Sequence, residues 1–463
     1  EGRYQWFLVG YTTFLALGMA FATYSLGFVY YLPDFLCFTS AAKTATRSCS
    51  EAEAMRSSWG FRVHFTRRSL VTEHRLYGKR AGLYTASQAL IGVITIIAGI
   101  ALLFLAERLG RRWGYLFTLV LLAGGSLLNL LCPGPRAAVL GLAALTTGFE
   151  LYDCTKPPHV NESIGGSLRS RVSVISLFSF AAGATGMYAV NRYVSGYRHI
   201  YVMVLVPSLL GLLLFPRVAE SPSFYFTRGD FPAVRKTLIA ISAANHDENA
   251  HAHAAEIIAR EVARLEAVAA QRTAPAVTPW RAYALRMLAL AVIVGNLNFV
   301  YVMLAFIPQM IRGLDMCLTG VLLMAAEAAV YVVMAYVAPW CPRRPVNLAA
   351  AGAFVLGPVL VLPARRFCPA AELPLCLLVK CALCANYGTV YSYVAELLPS
   401  SLRLKTFAAI FVTGRLLAVP IGSITARAEA CGVNPILAIV PSSVVALVVA
   451  VLLPETVNKS LIN

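Results

Sequence analysis

The stretch Glu162-Ser-Ile-Gly-Gly-Ser-Leu-Arg169 returns 234 residues later in the chain as Glu396-Leu-Leu-Pro-Ser-Ser-Leu-Arg403. Both copies begin with Glu, end with Ser-Leu-Arg and keep the Glu and the final Arg seven residues apart. Two further features repeat at nearly the same offset: the Arg pair 111–112 returns at 343–344, and Glu220 returns as Glu455. Three matches in one order predict a chain made of two duplicated halves; chance similarity between basic turns is the alternative.

The composition places most of this chain in a membrane. Of its 463 residues, 59% are hydrophobic and 13% are charged, whereas about a quarter of the residues in a typical soluble protein are charged. The mean hydropathy is +0.69. A helix needs roughly 20 mainly apolar residues to cross a bilayer, so the chain has room for about a dozen spanning helices.

Apolar runs separated by polar breaks predict twelve spanning helices, six on each side of a polar central segment. The fold class is therefore an all-α membrane protein with two six-helix pseudo-symmetric halves, 1–217 and 284–463, joined by a central loop at 218–283. Transporters with duplicated halves bind substrate between the halves, near the bilayer midplane. We expect the helices near residues 5–32, 82–106, 114–132, 137–157, 172–192, 199–217, 284–311, 317–340, 347–364, 372–395, 406–426 and 434–453.

Two polar segments are long enough to form structure outside the bilayer. Residues 33–81 contain nine Arg and Lys residues and fewer acids, so this loop would attract anionic partners or lipids. In the central loop, the apolar residues of 251–272 recur at helical spacing. This spacing predicts an amphipathic helix that lies on the membrane surface.

Charge and cysteine usage exclude several function classes. Although the net charge is +17, the basic residues mostly fall between apolar runs, which disfavours nucleic-acid binding. Cys381 and Cys384 match half of a zinc site, but no second pair accompanies them, so packing is the better interpretation. Cys37 and Cys49 can form one disulfide if their loop faces an oxidising compartment. We find no pattern typical of an enzyme active site, a metal site or a cofactor-binding loop.

Loop motifs resemble those of the major facilitator superfamily. Glu107-Arg-Leu-Gly-Arg-Arg112 is similar to the Asp-Arg-x-Gly-Arg-Arg loop between the second and third helices, with Glu in place of Asp. Ala219-Glu-Ser-Pro-Ser-Phe-Tyr-Phe-Thr-Arg-Gly229 looks like the Pro-Glu-Ser-Pro-Arg-Trp-Leu segment of organic cation, organic anion and carnitine transporters, which sugar porters share. The organic ion family is favoured by further similarities at Pro33-Asp34, Arg286-Met287 and Leu453-Pro454-Glu455-Thr456.

The resemblance implies a multi-pass transporter of small organic ions that needs no cofactor, in the plasma membrane or an organelle membrane. It also implies that both termini and the loop 218–283 are cytosolic and that 33–81 is external. Some positions depart from the family pattern, among them Leu103 in place of a Gly and Ser223 in place of an Arg. These departures leave a second hypothesis open: a relative without transport activity that acts as a receptor or as a structural subunit of a membrane complex, bound through its basic loop.

Charged residues inside the predicted helices mark the candidate site, because a charge at the bilayer centre costs roughly 3 kcal/mol or more. Glu150 and Asp153 lie three residues apart on one face of the fourth helix. Without a nearby cation, at least one of them would have a raised pKa, so they are candidates for coupling to a proton or a sodium ion. The candidate substrate-binding residues are Arg415, Lys380, Tyr301, Glu327 and Asn298.

Arg415 lies where the resemblance places an acid in cation transporters and an Arg in anion and carnitine transporters. A guanidinium can hold a carboxylate with two hydrogen bonds, and Lys380 matches a Lys of the same family. Together they predict an anionic or zwitterionic, carnitine-like substrate. In the alternative interpretation, Arg415 pairs with Glu327 or another acid and only holds helices together.

Charged residues in the loops predict a gate on the cytosolic face. There, Arg side chains can pair with Glu side chains when the halves rock about the substrate site. The tendency of basic residues to lie on the inner side of a membrane accounts for the Arg residues as well. The predicted gating residues are Glu107, Arg108, Arg111, Arg112, Glu162, Arg169, Glu220, Arg343, Arg344, Glu396, Arg403 and Glu455.

Overall fold

Twelve long helices follow the order of the predicted apolar runs. The computed structural model describes residues 2–39, 46–49, 54–55, 57–58, 60–64, 67–132, 134–164, 168–226, 228–246, 249–271, 280–305, 311, 315–337, 340–398, 400–431 and 433–456. Within these residues, the long helices are α1 (Arg3–Val29), α2 (Ala81–Leu109), α3 (Arg111–Leu131), α4 (Pro135–Ser163), α5 (Leu168–Tyr193), α6 (Arg198–Leu214), α7 (Trp280–Ala305), α8 (Met316–Val337), α9 (Arg343–Phe367), α10 (Glu372–Leu397), α11 (Ser400–Ala418) and α12 (Ile439–Leu452).

Apolar composition accounts for most of these helices. Ten of the helices in the described residues are long and apolar enough to cross a membrane. The other two long helices, α4 and α11, carry several charges: Arg136, Glu150, Asp153, Lys156 and Glu162 in α4, and Arg403, Lys405 and Arg415 in α11. A further helix, Ile421–Ala430, follows α11 after a two-residue turn. The predicted all-α fold is confirmed, although part of the predicted run 284–311 lies outside the described residues.

Contacts between helices repeat with an offset of six. Helix α1 packs against α4, α5 and α6, and α7 packs in the same way against α10, α11 and α12. Helix α3 packs against α4 and α6, as α9 packs against α10 and α12. The main contacts between the N-terminal half (α1–α6) and the C-terminal half (α7–α12) join α5 to α8 and α2 to α11. Duplicated halves predict this pattern of paired contacts.

A glycine allows the two halves to approach closely at the α5–α8 contact. A Cβ atom at Gly320 of α8 would overlap the ring of Tyr188 in α5. Tyr188 is itself buried, and its ring lies 5.3 Å from that of Phe28 and 5.8 Å from that of Tyr24, both in α1. Aromatic packing therefore closes the boundary between the halves at this point.

The described residues of the segment 33–81 include a small β sheet that was not predicted from the sequence, and we call this segment the β module. Strands β1 (Asp34–Phe38), β2 (Thr46–Cys49) and β3 (Phe61–His64) form an antiparallel sheet in the order β2-β1-β3. A disulfide joins Cys37 to Cys49, as the sequence analysis allowed. Strands of four or five residues show too little alternation to be recognised in a polar segment.

The central loop packs under the N-terminal half. Its helices are Pro222–Phe226, Phe231–Ala244 and Ala250–Gln271, and the last of these coincides with the predicted amphipathic segment. The side chain of Asn245 accepts a hydrogen bond from the backbone N–H of Tyr4, at 2.8 Å, and donates one to Gln5 Oε1, at 3.2 Å. These bonds tie the loop to the start of α1.

We expect the β module and the central loop to face opposite sides of the membrane. Ser58 and Ala252 are exposed, so a cysteine at either position would react with a membrane-impermeant maleimide. In intact cells, Ser58→Cys should be labelled, and Ala252→Cys should be labelled only after permeabilisation. The background should first lose the exposed thiols of Cys132, Cys368 and Cys431. Labelling of both positions from one side would show that the predicted topology is wrong.

Candidate functional site

A central cavity lies between the two halves. Its empty volume is about 1270 Å³, and its walls come from α1, α4, α5, α7, α8, α10 and α11. Most of the wall is apolar or aromatic, with a few hydroxyl, amide and charged groups. Such a surface is typical of a small-molecule site, where apolar side chains bury the ligand and a few polar groups orient it.

Tyrosines form one wall of the cavity and cross between the halves. The hydroxyl groups of Tyr24 in α1 and Tyr301 in α7 lie 2.5 Å apart. The ring of Tyr387 packs edge-on against Tyr301, with centroids 5.7 Å apart, and its hydroxyl donates to Asn298 Oδ1 at 2.5 Å. Tyr301 and Asn298, two of the predicted substrate-binding residues, therefore line the cavity. Nothing in the sequence separates Tyr24 or Tyr387 from ordinary packing residues, so both were missed.

Lys380 and Glu327 form a fully buried ion pair. Lys380 Nζ lies 2.7 Å from Glu327 Oε2, and each side chain is 1% exposed. The ammonium also stands 4.2 Å from the ring centroid of Tyr301, which adds a cation–π contact. Neither charged group makes an aligned hydrogen bond with any residue that the structure describes. The two charges therefore depend mainly on each other.

A second ion pair joins Arg415 to Glu150 at the cavity wall. It links α11 to α4 across the boundary between the halves, and the two side chains are 16% and 15% exposed. The acid beside Arg415 is Glu150, so the contact is the one that the alternative interpretation described, an ion pair with Glu327 or another acid. The carboxylate of Glu150 therefore has a cation close by, so the condition for a raised pKa is not met. A substrate carboxylate would therefore compete with Glu150 for the guanidinium of Arg415.

Among the described residues of the cavity region, acidic and basic side chains are equal in number. Asp153 and Lys156 also line the cavity, and they lie three residues apart on α4. Lys156 is mostly buried and was not among the residues predicted for the site. The acids are Glu150, Asp153 and Glu327, and the bases are Lys156, Lys380 and Arg415.

Two glutamates cap equivalent helices with the same geometry. Glu220 accepts hydrogen bonds from the backbone N–H groups of Arg111 and Arg112, at 2.8 and 2.9 Å, where α3 begins. Glu455 accepts from the N–H groups of the two residues that begin α9, Arg343 and Arg344, at 3.0 Å each. A carboxylate at a helix N-terminus satisfies N–H groups that have no partner within the helix. The two glutamates therefore make equivalent hydrogen bonds in the two halves, as expected for a repeat.

The environment of Glu220 differs from that of an exposed acid. Burial raises the pKa of Glu220, and hydrogen bonds from the backbone of Ser221, Arg112 and Arg111 oppose this by favouring the carboxylate. Beside it, Gly110 has a φ of 123°, and a Cβ atom there would overlap the Glu220 carboxylate. Glycine is therefore required at this turn.

The other predicted gating pairs lie within the halves. Arg111 lies 3.7 Å from Glu162, and Arg343 lies 3.2 Å from Glu396, so each pair joins neighbouring helices of one half. The backbone carbonyl of Glu107 accepts a hydrogen bond from an arginine of the central loop, and the guanidinium of Arg344 donates to Val451. Arg108 is exposed. The side chains of Arg169 and Arg403 lie outside the described part of the chain.

The halves meet on the side that carries the β module. There, Arg192 at the end of α5 forms an ion pair with Asp315 before α8, at 3.0 Å. At the opposite face, the ion pairs found in the described residues stay within one half. The arrangement is therefore closed near the β module, with the cavity beneath that closure.

Comparison with known proteins identifies the family to which this sequence belongs. The sequence matches the family described as "Sugar (and other) transporter" over residues 10–463. Myo-inositol transporter 1 of Candida albicans is 25% identical over 181 residues, which make up 38% of this chain and 32% of that transporter. The match thus spans about a third of the length of that relative. Neither match shows the organic cation, organic anion and carnitine family that the sequence analysis favoured.

Solved structures show the same fold. The proton:xylose symporter XylE, solved with 6-bromo-6-deoxy-D-glucose, has a TM-score of 0.67 at 17% identity, with 99% of this chain and 98% of that one covered. A partially occluded, inward-open XylE from E. coli has a TM-score of 0.66 at 15% identity, with 99% and 100% covered. Because the family match extends over nearly the whole sequence, this multi-pass membrane chain belongs to the sugar (and other) transporter family of the major facilitator superfamily, whose members are transporters and not enzymes.

Proposed function

We propose that this protein transports an uncharged, polyhydroxylated solute, a sugar or a polyol, by alternating access. The charge balance of the cavity region carries this proposal. Each base lies beside an acid: Arg415 beside Glu150, Lys380 beside Glu327, and Lys156 near Asp153. A neutral solute can enter such a site without separating any pair.

An anionic substrate would have to compete with these pairs. To bind Arg415, its carboxylate would displace Glu150 and leave that acid without a partner at the cavity wall. Leaving one member of an ion pair unpaired costs about 3–5 kcal/mol in a dry interior and less at this wall, where water in the cavity can solvate Glu150. The carnitine-like substrate implied by the family resemblance is therefore disfavoured, and the comparisons with known proteins give it no support.

The remaining wall suits a sugar or a polyol. Aromatic rings can stack against the C–H face of such a solute, and hydroxyl and amide groups can exchange hydrogen bonds with its hydroxyls. The cavity offers both kinds of surface, with Tyr301, Tyr331 and Tyr387 beside Asn298 and Thr23. The names of the related proteins, a myo-inositol transporter and a proton:xylose symporter, point to the same class of solute.

We further propose that a proton is the coupling ion and that Glu150 is the carboxylate that accepts it. Its ion pair with Arg415 crosses between the halves, so protonation would weaken a contact that must separate when the halves rock. Asp153, one helical turn further along α4, is the alternative acceptor. No observation supports sodium.

The second hypothesis, a receptor or a structural subunit, has weaker support. The cavity lies between the halves, and both helix-capping glutamates, Glu220 and Glu455, keep their full set of bonds. A protein that had lost transport would not need either feature. Recovery of the chain in a fixed ratio within a larger membrane complex would favour this hypothesis.

Uptake in reconstituted vesicles tests the proposed function. We expect saturable uptake of a labelled neutral solute from a panel containing xylose, glucose and myo-inositol, with no uptake of carnitine or an aromatic carboxylate. Protein-free vesicles provide the background, and an inward proton gradient should accelerate uptake. If the carboxylates or carnitine are taken up and the neutral solutes are not, the proposed substrate class is wrong.

The charge balance predicts a change of selectivity in Glu150→Gln. This substitution leaves Arg415 without its carboxylate, so an anionic sugar derivative such as a uronate should inhibit uptake at least about tenfold better than it inhibits the wild type. The measurement is the ratio of inhibition constants for the uronate and the neutral sugar, taken in counterflow exchange of the neutral sugar, which needs no coupling proton. In the control, Glu150→Leu with Arg415→Leu, this ratio should not change in favour of the uronate. A ratio unchanged in Glu150→Gln would contradict the proposed role of the pair.

The two capping glutamates should respond alike to substitution. We propose that they hold rigid the loops on which the halves rock. In Glu220→Gln or Glu455→Gln, an amide NH₂ faces a backbone N–H donor, which should cost about 1–3 kcal/mol of stability. We expect similar losses of thermal stability and uptake rate in both variants, and little change in Glu256→Gln, whose side chain is exposed. Sensitivity at one position alone would show that the halves are not equivalent here.

A further inference from the structure

Arg67 reaches from the β module to both halves of the protein. One guanidinium nitrogen donates to the backbone carbonyl of Asn191 in α5, at 2.5 Å, and the other donates to the thiol sulfur of Cys317 in α8, at 3.0 Å. The guanidinium also stands 5.9 Å from the ring centroid of Phe28 in α1. One side chain of the β module thus bridges the boundary between the halves.

The contact with Asn191 stays within the N-terminal half. Asn191 belongs to the last turn of α5, where backbone carbonyls have no partner within the helix. A cationic side chain suits this position, since it satisfies a carbonyl at the negative end of the helix dipole. This bond can therefore persist when the halves move.

The contact with Cys317 crosses between the halves. Cys317 lies in the first turn of α8, its side chain is buried, and its backbone N–H donates to Asp315 Oδ1 at 2.9 Å. The start of α8 is therefore held in place from both sides, by the cap of Asp315 and by Arg67. Any motion that separates α8 from α5 must break the bond from Arg67 to Cys317.

The β module itself is tied to the N-terminal half. The hydroxyl of Ser69 donates to the carbonyl of Tyr31 at 2.7 Å, and the backbone N–H of Arg68 donates to the carbonyl of Ser195 at 3.0 Å. Glu73 accepts from Arg198 at 2.6 Å. These bonds make the module move with α1, α5 and α6. Arg67 therefore belongs to the N-terminal half, and its side chain reaches the C-terminal half at Cys317.

A second arginine contacts the same part of α8 but is less shielded. Arg192 and Asp315 form their ion pair with side chains that are 49% and 44% exposed. Exposed pairs contribute little, because water and salt screen them. Arg67 lies deeper, between the β module and the helix ends, and its guanidinium has two partners. Of the two arginine contacts, that of Arg67 should restrain α8 more strongly.

We propose that Arg67 is a latch that holds the β-module face of the protein closed and that releases Cys317 when this face opens. The latch rests on the proposed alternating access and adds a gating residue that belongs to neither set of spanning helices. The disulfide between Cys37 and Cys49 supports it by keeping the module compact. Release of the bond exposes the thiol of Cys317, so the reactivity of this thiol reports the open state.

The rate of Cys317 alkylation tests the latch. In lipid nanodiscs, where both faces meet the reagent, N-ethylmaleimide modification of the peptide containing Cys317 is followed by mass spectrometry. Arg67→Ala should raise the rate about threefold to tenfold, the range expected for loss of a single hydrogen bond. Arg67→Lys, which keeps the charge but has one donor group in place of the two-pronged guanidinium, should give a smaller increase. Arg68→Ala is the matched control, because its exposed side chain can be removed without losing the backbone bond to Ser195.

Equal rates in the wild type, Arg67→Ala and Arg68→Ala would overturn the latch. Each variant is first checked for an unchanged elution profile and melting temperature. If Arg67→Ala does not fold, Arg67→Lys and Arg67→Gln provide the same comparison, and rates equal to that of the wild type in both would again overturn the proposal. The result is separable from the substrate assignment. If no sugar or polyol is transported but the rates rise as expected, the latch stands and the substrate class is wrong.

Discussion

The need to pair buried charges governs the centre of this protein. A charge removed from water inside a membrane protein is tolerated only beside an opposite charge or a substitute for solvent. The two buried ion pairs meet this need in different ways. Lys380 and Glu327 belong to α10 and α8 of the same half, so they stay together in any motion of the halves. Arg415 and Glu150 belong to different halves, so their contact depends on the conformation.

This difference explains the different burial of the two pairs. The pair within the C-terminal half is 1% exposed and has no need of water, because its partners never separate. The pair between the halves lines the cavity, where each side chain is 15% or more exposed. When the halves part, water in the cavity can take the place of the lost partner, so the separation costs less than it would in a dry interior. A contact of this kind is suited to a moving boundary.

Much of the fold could be predicted from the sequence, whereas the pairing at the site could not. Apolar runs predicted the twelve helices, and the offset between Glu220 and Glu455 indicated equivalent positions in the two halves. Both glutamates were predicted to pair with Arg side chains, whereas in the structure they accept hydrogen bonds from backbone N–H groups. The partner of Arg415 could not be predicted, because it depends on how α4 and α11 are rotated and packed. A sequence pattern does not specify this packing. The resemblance to organic ion transporters then suggested that Arg415 binds an anionic substrate, whereas its guanidinium is paired with Glu150. The β module was missed because its strands are short and lie in a polar segment.

The closure near the β module is built from individually modest contacts. The bond from Arg67 to Cys317 and the exposed pair of Arg192 and Asp315 each contribute on the order of 1 kcal/mol. A substrate shifts an equilibrium only by its difference in affinity for the two states, which is a few kcal/mol in most proteins. Substrate binding can therefore supply enough free energy to break one set of these contacts while another set forms. The strong interactions, such as the buried pair of Lys380 and Glu327 and the capping glutamates, lie within the halves instead. Each half can therefore remain rigid while the boundary between them opens and closes.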